Sequence, residues 1–195
     1  MHCLWGLQQQ LQFELKGGTS LSKGFKIIDR FSEDIDIRIY PPEGMDVKSG
    51  KNHDKSSHIQ SRKNYFDWLV GIIQISGVTV QRDPAYDDKT LRNAGIRLIY
   101  KSNFPVIPGI KDGVLLEVGF DDTAPNREVT ISSWAFERAF KQNVPVKDNR
   151  SINVKCYCPE YTFVEKLQTV STKFRKQQES GSLSTNFMRH YPRTS

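Results

Sequence analysis

The 195-residue sequence lacks the features that mark several classes of protein. No run of about 18 apolar residues occurs, which argues against a membrane-spanning helix. The first ten residues, MHCLWGLQQQ, have no basic start followed by an apolar stretch, so they do not resemble a signal peptide. Three cysteines are too few for a disulfide framework and are expected to be reduced thiols. These absences predict a folded cytoplasmic protein with no membrane partner.

Two common kinds of site also lack their motifs. The pattern Gly-x-x-x-x-Gly-Lys-[Ser/Thr] is absent, which excludes a P-loop enzyme. Cys156 and Cys158 have no second ligand pair at zinc spacing, and Cys3 lies far away in sequence. A structural zinc ion is therefore not expected.

What the sequence does have is an uneven distribution of positive charge. The formal net charge is +6, with 28 Lys and Arg against 22 Asp and Glu. Residues 1–146 are nearly balanced, with 19 basic and 18 acidic side chains, whereas residues 147–195 carry nine and four. The basic end indicates a polyanionic partner such as RNA or nucleotide phosphates, but an ordinary lysine-rich solvated helix explains it equally well.

Hydrophobic periodicity predicts an α/β (α+β) protein with a mixed β-sheet flanked by helices. Alternating apolar residues predict strands at 13–15, 34–40, 95–101, 114–120 and 152–157. Helical spacing predicts helices at 1–12, from residue 19 or 20, at 62–75, at 133–141 and from Pro159, with a long polar loop at 43–61.

The C-terminal quarter is predicted to differ from the rest of the chain. Residues 1–150 are expected to form the core, and residues 151–195 a strand followed by an incomplete basic helical segment. On the last predicted helix, Phe163, Leu167, Val170 and Phe174 recur at i, i+4, i+7 and i+11, which predicts a buried face.

Two short motifs near the N-terminus could carry chemistry. Gly17-Gly18-Thr19-Ser20 lies between a predicted strand and a predicted helix, where glycines let a phosphate approach backbone N–H groups; a simple turn explains it as well. In Asp34-Ile35-Asp36, the alternation of a strand directs both carboxylates to one side. Carboxylates crowded in this way suit Mg²⁺, although two solvated aspartates on an edge strand remain the alternative.

Glu117 lies within the apolar strand Leu115-Leu116-Glu117-Val118 and needs a partner there. That partner is either a metal ion shared with Asp34 and Asp36 or a neighbouring arginine such as Arg97. The order of glycine turn, Asp-x-Asp strand and later acidic strand is typical of nucleotidyl transfer, in which carboxylates hold one or two Mg²⁺ ions.

Two longer stretches resemble the signature of the AbiEii/AbiGii-type toxin family. The first runs from Lys16 to Lys23 and continues at Arg30-Phe31-Ser32-Glu33-Asp34-Ile35-Asp36. The second is Pro159-Glu160-Tyr161-Thr162-Phe163-Val164-Glu165-Lys166-Leu167. The resemblance extends over residues 10–191. It implies a nucleotidyltransferase fold and a role in toxin–antitoxin and phage-defence systems.

The resemblance also implies roles for individual residues. It makes Asp34, Asp36 and Glu117 the metal-binding and catalytic acids, and Lys166 a catalytic group that contacts a phosphate oxygen or orients the attacking hydroxyl. The nucleotide-binding residues that it implies are Lys16, Gly17, Gly18, Thr19, Ser20, Lys23 and Arg30. The implied reaction transfers a nucleoside monophosphate from an NTP to an RNA acceptor, tRNA in particular, with Mg²⁺, and a cognate antitoxin is the implied protein partner.

The chain departs from the family pattern near its C-terminus. After Phe187-Met188-Arg189-His190-Tyr191, the family continues in a helix with a further functional acid, whereas this sequence reads Pro192-Arg193-Thr194-Ser195. Proline interrupts a helix. The alternative to the enzyme is therefore a truncated nucleotide-binding or interaction module without turnover.

Overall fold

The computed structural model describes residues 1–29, 32, 34–102 and 113–181. The chain divides into two compact units, residues 1–157 and 158–195. The first unit contains a seven-stranded mixed sheet with helices, and the second contains one long helix. This architecture confirms the predicted fold class.

The elements alternate between strands and helices along the chain. The strands are β1 (Phe13–Lys16), β2 (Asp34–Ile39), β3 (Val78–Arg82), β4 (Asn93–Tyr100), β5 (Val114–Gly119), β6 (Asn126–Ile131) and β7 (Ser151–Tyr157). The helices are α1 (His2–Gln8), α2 (Gly17–Thr19), α3 (Ser56–Ile72), α4 (Trp134–Lys141) and α5 (Pro159–Ser180). A π-helical turn, Ser20–Gly24, continues α2, and a 3₁₀ turn, Pro84–Tyr86, lies between β3 and β4.

The strand order is β3-β4-β5-β2-β1-β7-β6. Strand β2 runs parallel to β5, and β1 runs parallel to β7, whereas the other neighbouring pairs are antiparallel. The predicted acidic residues therefore lie on β2 and β5, two adjacent strands near the middle of the sheet.

One face of the sheet carries the hydrophobic core. In β2, Ile35, Ile37 and Ile39 are buried on this face, because side chains alternate along a strand. The helices contribute further core residues, among them Leu4 and Leu7 from α1 and Tyr65, Phe66 and Leu69 from α3. Burial of the isoleucines leaves Asp34, Asp36 and Arg38 on the opposite face, here called the polar face.

Helix α3 begins earlier than its periodicity predicts. The polar residues from Ser56 to Ser61, predicted to belong to the loop, form its first turns. The buried guanidinium of Arg62 explains this. It donates hydrogen bonds to the carbonyl oxygens of His53, at 2.9 Å, of Thr90, at 2.6 and 2.9 Å, and of Lys48. Arg62 thus fastens the loop before α3 to the turn before β4.

The helix predicted after Ser20 is also shorter than expected. Regular helical structure ends at Gly24, where a Cβ would lie only 3.1 Å from Ile131 and 3.2 Å from Val129. The chain at Gly24 therefore packs closely against β6.

In the second unit, the described residues form α5, which is followed by Gly181 in a left-handed conformation with φ 65°. The prediction that Phe163, Leu167 and Phe174 are buried is wrong, since these side chains are 59%, 51% and 47% exposed. Helical spacing defines an apolar stripe but does not identify what covers it.

All three cysteines, Cys3, Cys156 and Cys158, are free and buried. Burial raises the pKa of the Cys156 thiol to about 12. Among the helices of the described ranges, none combines the length and the apolar character needed to cross a membrane.

Candidate active site

Asp36 and Glu117 form the centre of the polar face. They are direct partners in the parallel ladder between β2 and β5, so their side chains project side by side. Burial, followed by the charge of Asp36 and a hydrogen bond between the two carboxyl groups, raises the pKa of Glu117 to about 7. The negative charge of Asp36 thus disfavours ionisation of Glu117, as expected where a cation would be favourable.

Asp34 begins β2 on the same face. Its negative charge contributes to the raised pKa of Glu117. Its backbone carbonyl accepts a hydrogen bond from the Thr19 hydroxyl at 2.7 Å, which ties the start of β2 to α2. Thr19 thus positions the backbone of Asp34 and does not contact its carboxylate through this bond.

The donor chemistry of this site fits a hard divalent cation. Within the described ranges, no three His, Cys, Asp or Glu side chains already converge as a preformed metal cluster. The adjacent pair Asp36–Glu117, with Asp34 within electrostatic reach, nevertheless offers the oxygen ligands that Mg²⁺ prefers. A cation at the pair would offset the repulsion between the carboxylates.

Gly17 packs directly against Asp36. Its φ of +72° is a conformation that residues with a side chain rarely adopt. A Cβ at this position would overlap the Asp36 carboxylate, with 2.9 Å to its Cγ atom. The glycine therefore lets the backbone of the turn approach the acidic pair.

Lys16 places a positive charge beside the same pair. It lies opposite Asp36 in the antiparallel ladder between β1 and β2, and its charge opposes the upward shift in the pKa of Glu117. Its ammonium is 3.4 Å from the exposed carboxylate of Asp121. The pair has one exposed partner, Asp121, so its contribution to stability is small.

The hydroxyl groups of the turn bind backbone oxygens. Ser20 is fully buried and donates to the carbonyl of Gly17 at 2.8 Å. Ser22 donates to the carbonyl of Gly18 at 2.9 Å. These bonds fix the shape of the turn, a positioning role that the sequence did not reveal.

The other three predicted residues are Lys23, Lys166 and Arg30. The ammonium of Lys23 lies over the Trp134 ring, 3.0 Å from its centroid, and burial lowers its pKa. Lys166 is an exposed residue of α5, in the second unit. Arg30 lies outside the described residues.

The alternative partner for Glu117, Arg97, is engaged elsewhere. It pairs with Asp83 at 2.5 Å, and it lies opposite Leu115 in the ladder between β4 and β5. The residue of β4 that lies opposite Glu117 is Gly95. Among the alternatives weighed from the sequence, the arrangement favours the one in which Glu117 shares a cation with the aspartates.

Sequence reasoning missed a further carboxylate on the polar face, Glu14 in β1. It is 6% exposed and accepts a hydrogen bond from the Tyr40 hydroxyl at 2.8 Å and another from the Thr123 hydroxyl. The guanidinium of Arg38 lies 3.7 Å away. In the sequence, Phe13-Glu14-Leu15 is an ordinary alternation, and its partners are contributed by distant segments.

A mixed sheet with an acidic pair on two adjacent strands is the framework of a nucleotidyltransferase-like protein, and the comparisons agree. The fold is similar to that of MenT4, a nucleotidyltransferase toxin from Mycobacterium tuberculosis, with a TM-score of 0.51 and 16% sequence identity. The match covers 87% of this chain and 50% of MenT4, so this chain spans about half the length of that relative.

The family is shown by a separate comparison. Residues 2–192 match the family described as nucleotidyl transferase AbiEii toxin, type IV toxin–antitoxin system. The chain therefore belongs to the AbiEii nucleotidyltransferase toxin family, as its motifs predict. No curated protein gives a significant match to the sequence.

Proposed function

We propose that this protein transfers a nucleoside monophosphate from an NTP to an RNA acceptor, tRNA in particular, in a reaction that depends on Mg²⁺. The observation that carries the proposal is the Asp36–Glu117 pair, whose side chains lie opposite each other on β2 and β5 beside the glycine backbone of Gly17. Membership of a nucleotidyltransferase toxin family supports the same reaction class.

Each residue of the site has a role in this proposal. Asp34, Asp36 and Glu117 hold Mg²⁺, which when bound supplies Lewis-acid stabilisation of the charge that develops during phosphoryl transfer. Gly17 and Gly18 let the triphosphate approach the backbone. The Thr19 hydroxyl ties the turn to the start of β2, and the Ser20 hydroxyl fixes the shape of the turn.

Two lysines also have roles in this proposal. Lys16 exchanges Asp121 for a phosphate oxygen when the nucleotide binds. Lys166 contacts a phosphate or orients the acceptor hydroxyl. The roles of Lys23 and Arg30 in nucleotide binding rest on the family motif alone.

The family suggests the biological setting. Type IV toxin–antitoxin membership favours a cognate antitoxin as the protein partner, with phage defence as the context. The excess of basic residues over residues 147–195 supports a polyanionic acceptor.

Transfer of label from an α-³²P-labelled NTP to bulk tRNA, with Mg²⁺ present, tests the proposal. We expect labelled tRNA with the wild-type chain and none with Asp36→Asn. Asp46→Asn is the matched control, because Asp46 is an exposed carboxylate that pairs with Lys48. Nucleotide binding without transfer by the wild-type chain would instead support the binding or interaction module.

A further inference from the structure

Tyr40 lies on the polar face directly after β2. Its hydroxyl donates a hydrogen bond to Oε1 of Glu14 at 2.8 Å, and the guanidinium of Arg38 lies 4.8 Å from the centroid of its ring. The residue is nevertheless 43% exposed, so part of its ring is open to solvent. An aromatic side chain held at its polar end and open along its ring can serve as a stacking surface.

The support beneath this ring is rigid. Glu14 is buried and is held by the Thr123 hydroxyl and by Arg38 as well as by Tyr40. Arg38 in turn pairs with Asp122 at 2.6 Å. Because the charge of Arg38 is balanced by two carboxylates, this part of the polar face is suited to a neutral flat group rather than to a phosphate.

The distance from the acidic pair suits one nucleotide. The Tyr40 hydroxyl reaches Glu14, which lies opposite Arg38 in the ladder between β1 and β2. Tyr40 is four residues beyond Asp36, about 13 Å along the strand, but its hydroxyl returns to the level of Arg38, which is about 7 Å from Asp36. A ribose and base that extend from a phosphate at Asp36 can reach a ring that lies between these two levels.

The direction of β1 and β2 also fits a nucleotide bound along these strands. Lys16 lies opposite Asp36, so the turn that starts at Gly17 lies toward the Asp34 end of β2. Tyr40 lies at the other end. Triphosphate, reacting phosphorus and base can therefore follow one another along the β1–β2 pair.

We propose that the Tyr40 ring is the stacking surface for the nucleobase of the donor NTP, fixed in place by the buried Glu14 and by Arg38. This inference rests on the proposed function, since it requires an NTP with its phosphates at Asp36 and Glu117. Stacking accepts any base because every base has an aromatic face, so the platform contributes affinity to all four NTPs and favours purines.

Nucleotide affinity measured with and without a base tests the inference. Calorimetry with Mg²⁺ compares ATP with ribose 5′-triphosphate on the wild-type chain, Tyr40→Leu and Tyr40→Phe. We expect the wild type to bind ATP about tenfold more tightly than ribose 5′-triphosphate, since stacking contributes about that factor. Tyr40→Leu should bind both ligands with the affinity that the wild type has for ribose 5′-triphosphate, whereas Tyr40→Phe should keep the preference for ATP.

Tyr100→Leu is the matched control, because Tyr100 is a similarly exposed tyrosine, at 49%, at the end of β4. Retention of the preference for ATP in Tyr40→Leu would overturn the inference, as would an equal loss of affinity for both ligands. Equal binding of the two ligands by the wild type would overturn it while leaving the proposed function intact. Failure of the wild type to bind either ligand would overturn both.

Discussion

Asp36 and Glu117 are direct neighbours across the parallel β2–β5 ladder, and their carboxyl groups share a hydrogen bond. The relationship joins two segments that are 81 residues apart in sequence. It also means that the metal-free protein holds two acids where one charge is tolerated. The protonation state of Glu117 should therefore affect both stability and cation binding.

The stability of the metal-free protein should depend on the pH through Glu117. Burial, and then Asp36, raises the pKa of this group from 4.5 to about 7. The folded state then binds more protons than the unfolded state, so the free energy of unfolding decreases as the pH rises from about 4.5 to about 7. Glu117→Gln should remove this decrease and be more stable than the wild type at alkaline pH by on the order of 2 kcal/mol, less than the full linkage because Glu117 is partly exposed to solvent.

Urea denaturation in EDTA, at acidic, neutral and mildly alkaline pH, measures this effect. At acidic pH the wild type and Glu117→Gln should have similar stabilities, because Glu117 is then protonated in both the folded and the unfolded state. A difference between the two proteins that is independent of pH would contradict the prediction.

Gly17→Ala should abolish nucleotide transfer. The positive φ costs about 1–2 kcal/mol for a residue with a side chain, and the new methyl group displaces the Asp36 carboxylate. Gly77→Ala is the matched control, since Gly77 has a similar φ of +75° but no atom within 4 Å of the Cβ position. Thermal melts should show the cost of the positive φ in both variants and a further loss in Gly17→Ala from its contact with Asp36, whereas only Gly17→Ala should lose transfer. Equal activity of the two variants would show that the close contact is unimportant.

Lys166→Ala should reduce transfer with little effect on stability. The side chain is exposed on α5, and an exposed charge contributes at most about 1 kcal/mol. Lys176→Ala, an exposed lysine of the same helix, controls for the loss of positive charge. Transfer assays together with Mg²⁺ titration should show lower activity and unchanged Mg²⁺ binding in Lys166→Ala alone. If the two variants have the same activity, Lys166 is only a surface residue.

Arg62→Met should destabilise the first unit strongly. The buried guanidinium binds three carbonyl groups, and its loss leaves them without these donors, at a cost of about 3 kcal/mol. Arg138→Met, at an exposed position of α4, should change the free energy of unfolding by less than about 0.5 kcal/mol. Urea denaturation measures both values, and similar values for the two variants would show that the bonds of Arg62 contribute little.

The sequence predicts the central strands better than the edges of the sheet. Strands β2, β4 and β5 show clear apolar patterns because at least one face of each is buried. The two strands that the sequence did not reveal, β3 and β6, are the two edges, where partial exposure permits polar residues and weakens the pattern.

The same distinction applies to the site. The Asp-x-Asp motif predicts that Asp34 and Asp36 share a face, because that follows from strand geometry alone. The buried state of Glu14 was not predictable, since it depends on Thr123 and Tyr40, which tertiary structure brings to it. Likewise, no local pattern indicates that Lys23 lies over Trp134.

The three sequestered cysteines give the protein an intrinsic reporter of opening. Cys3 and Cys156 belong to the core of the first unit, so a thiol reagent can modify them only after that core separates. Labelling under native conditions consequently proceeds at a rate set by conformational opening rather than by thiol chemistry. Each variant described above can therefore be ranked by its labelling kinetics, without a denaturant and without any added probe.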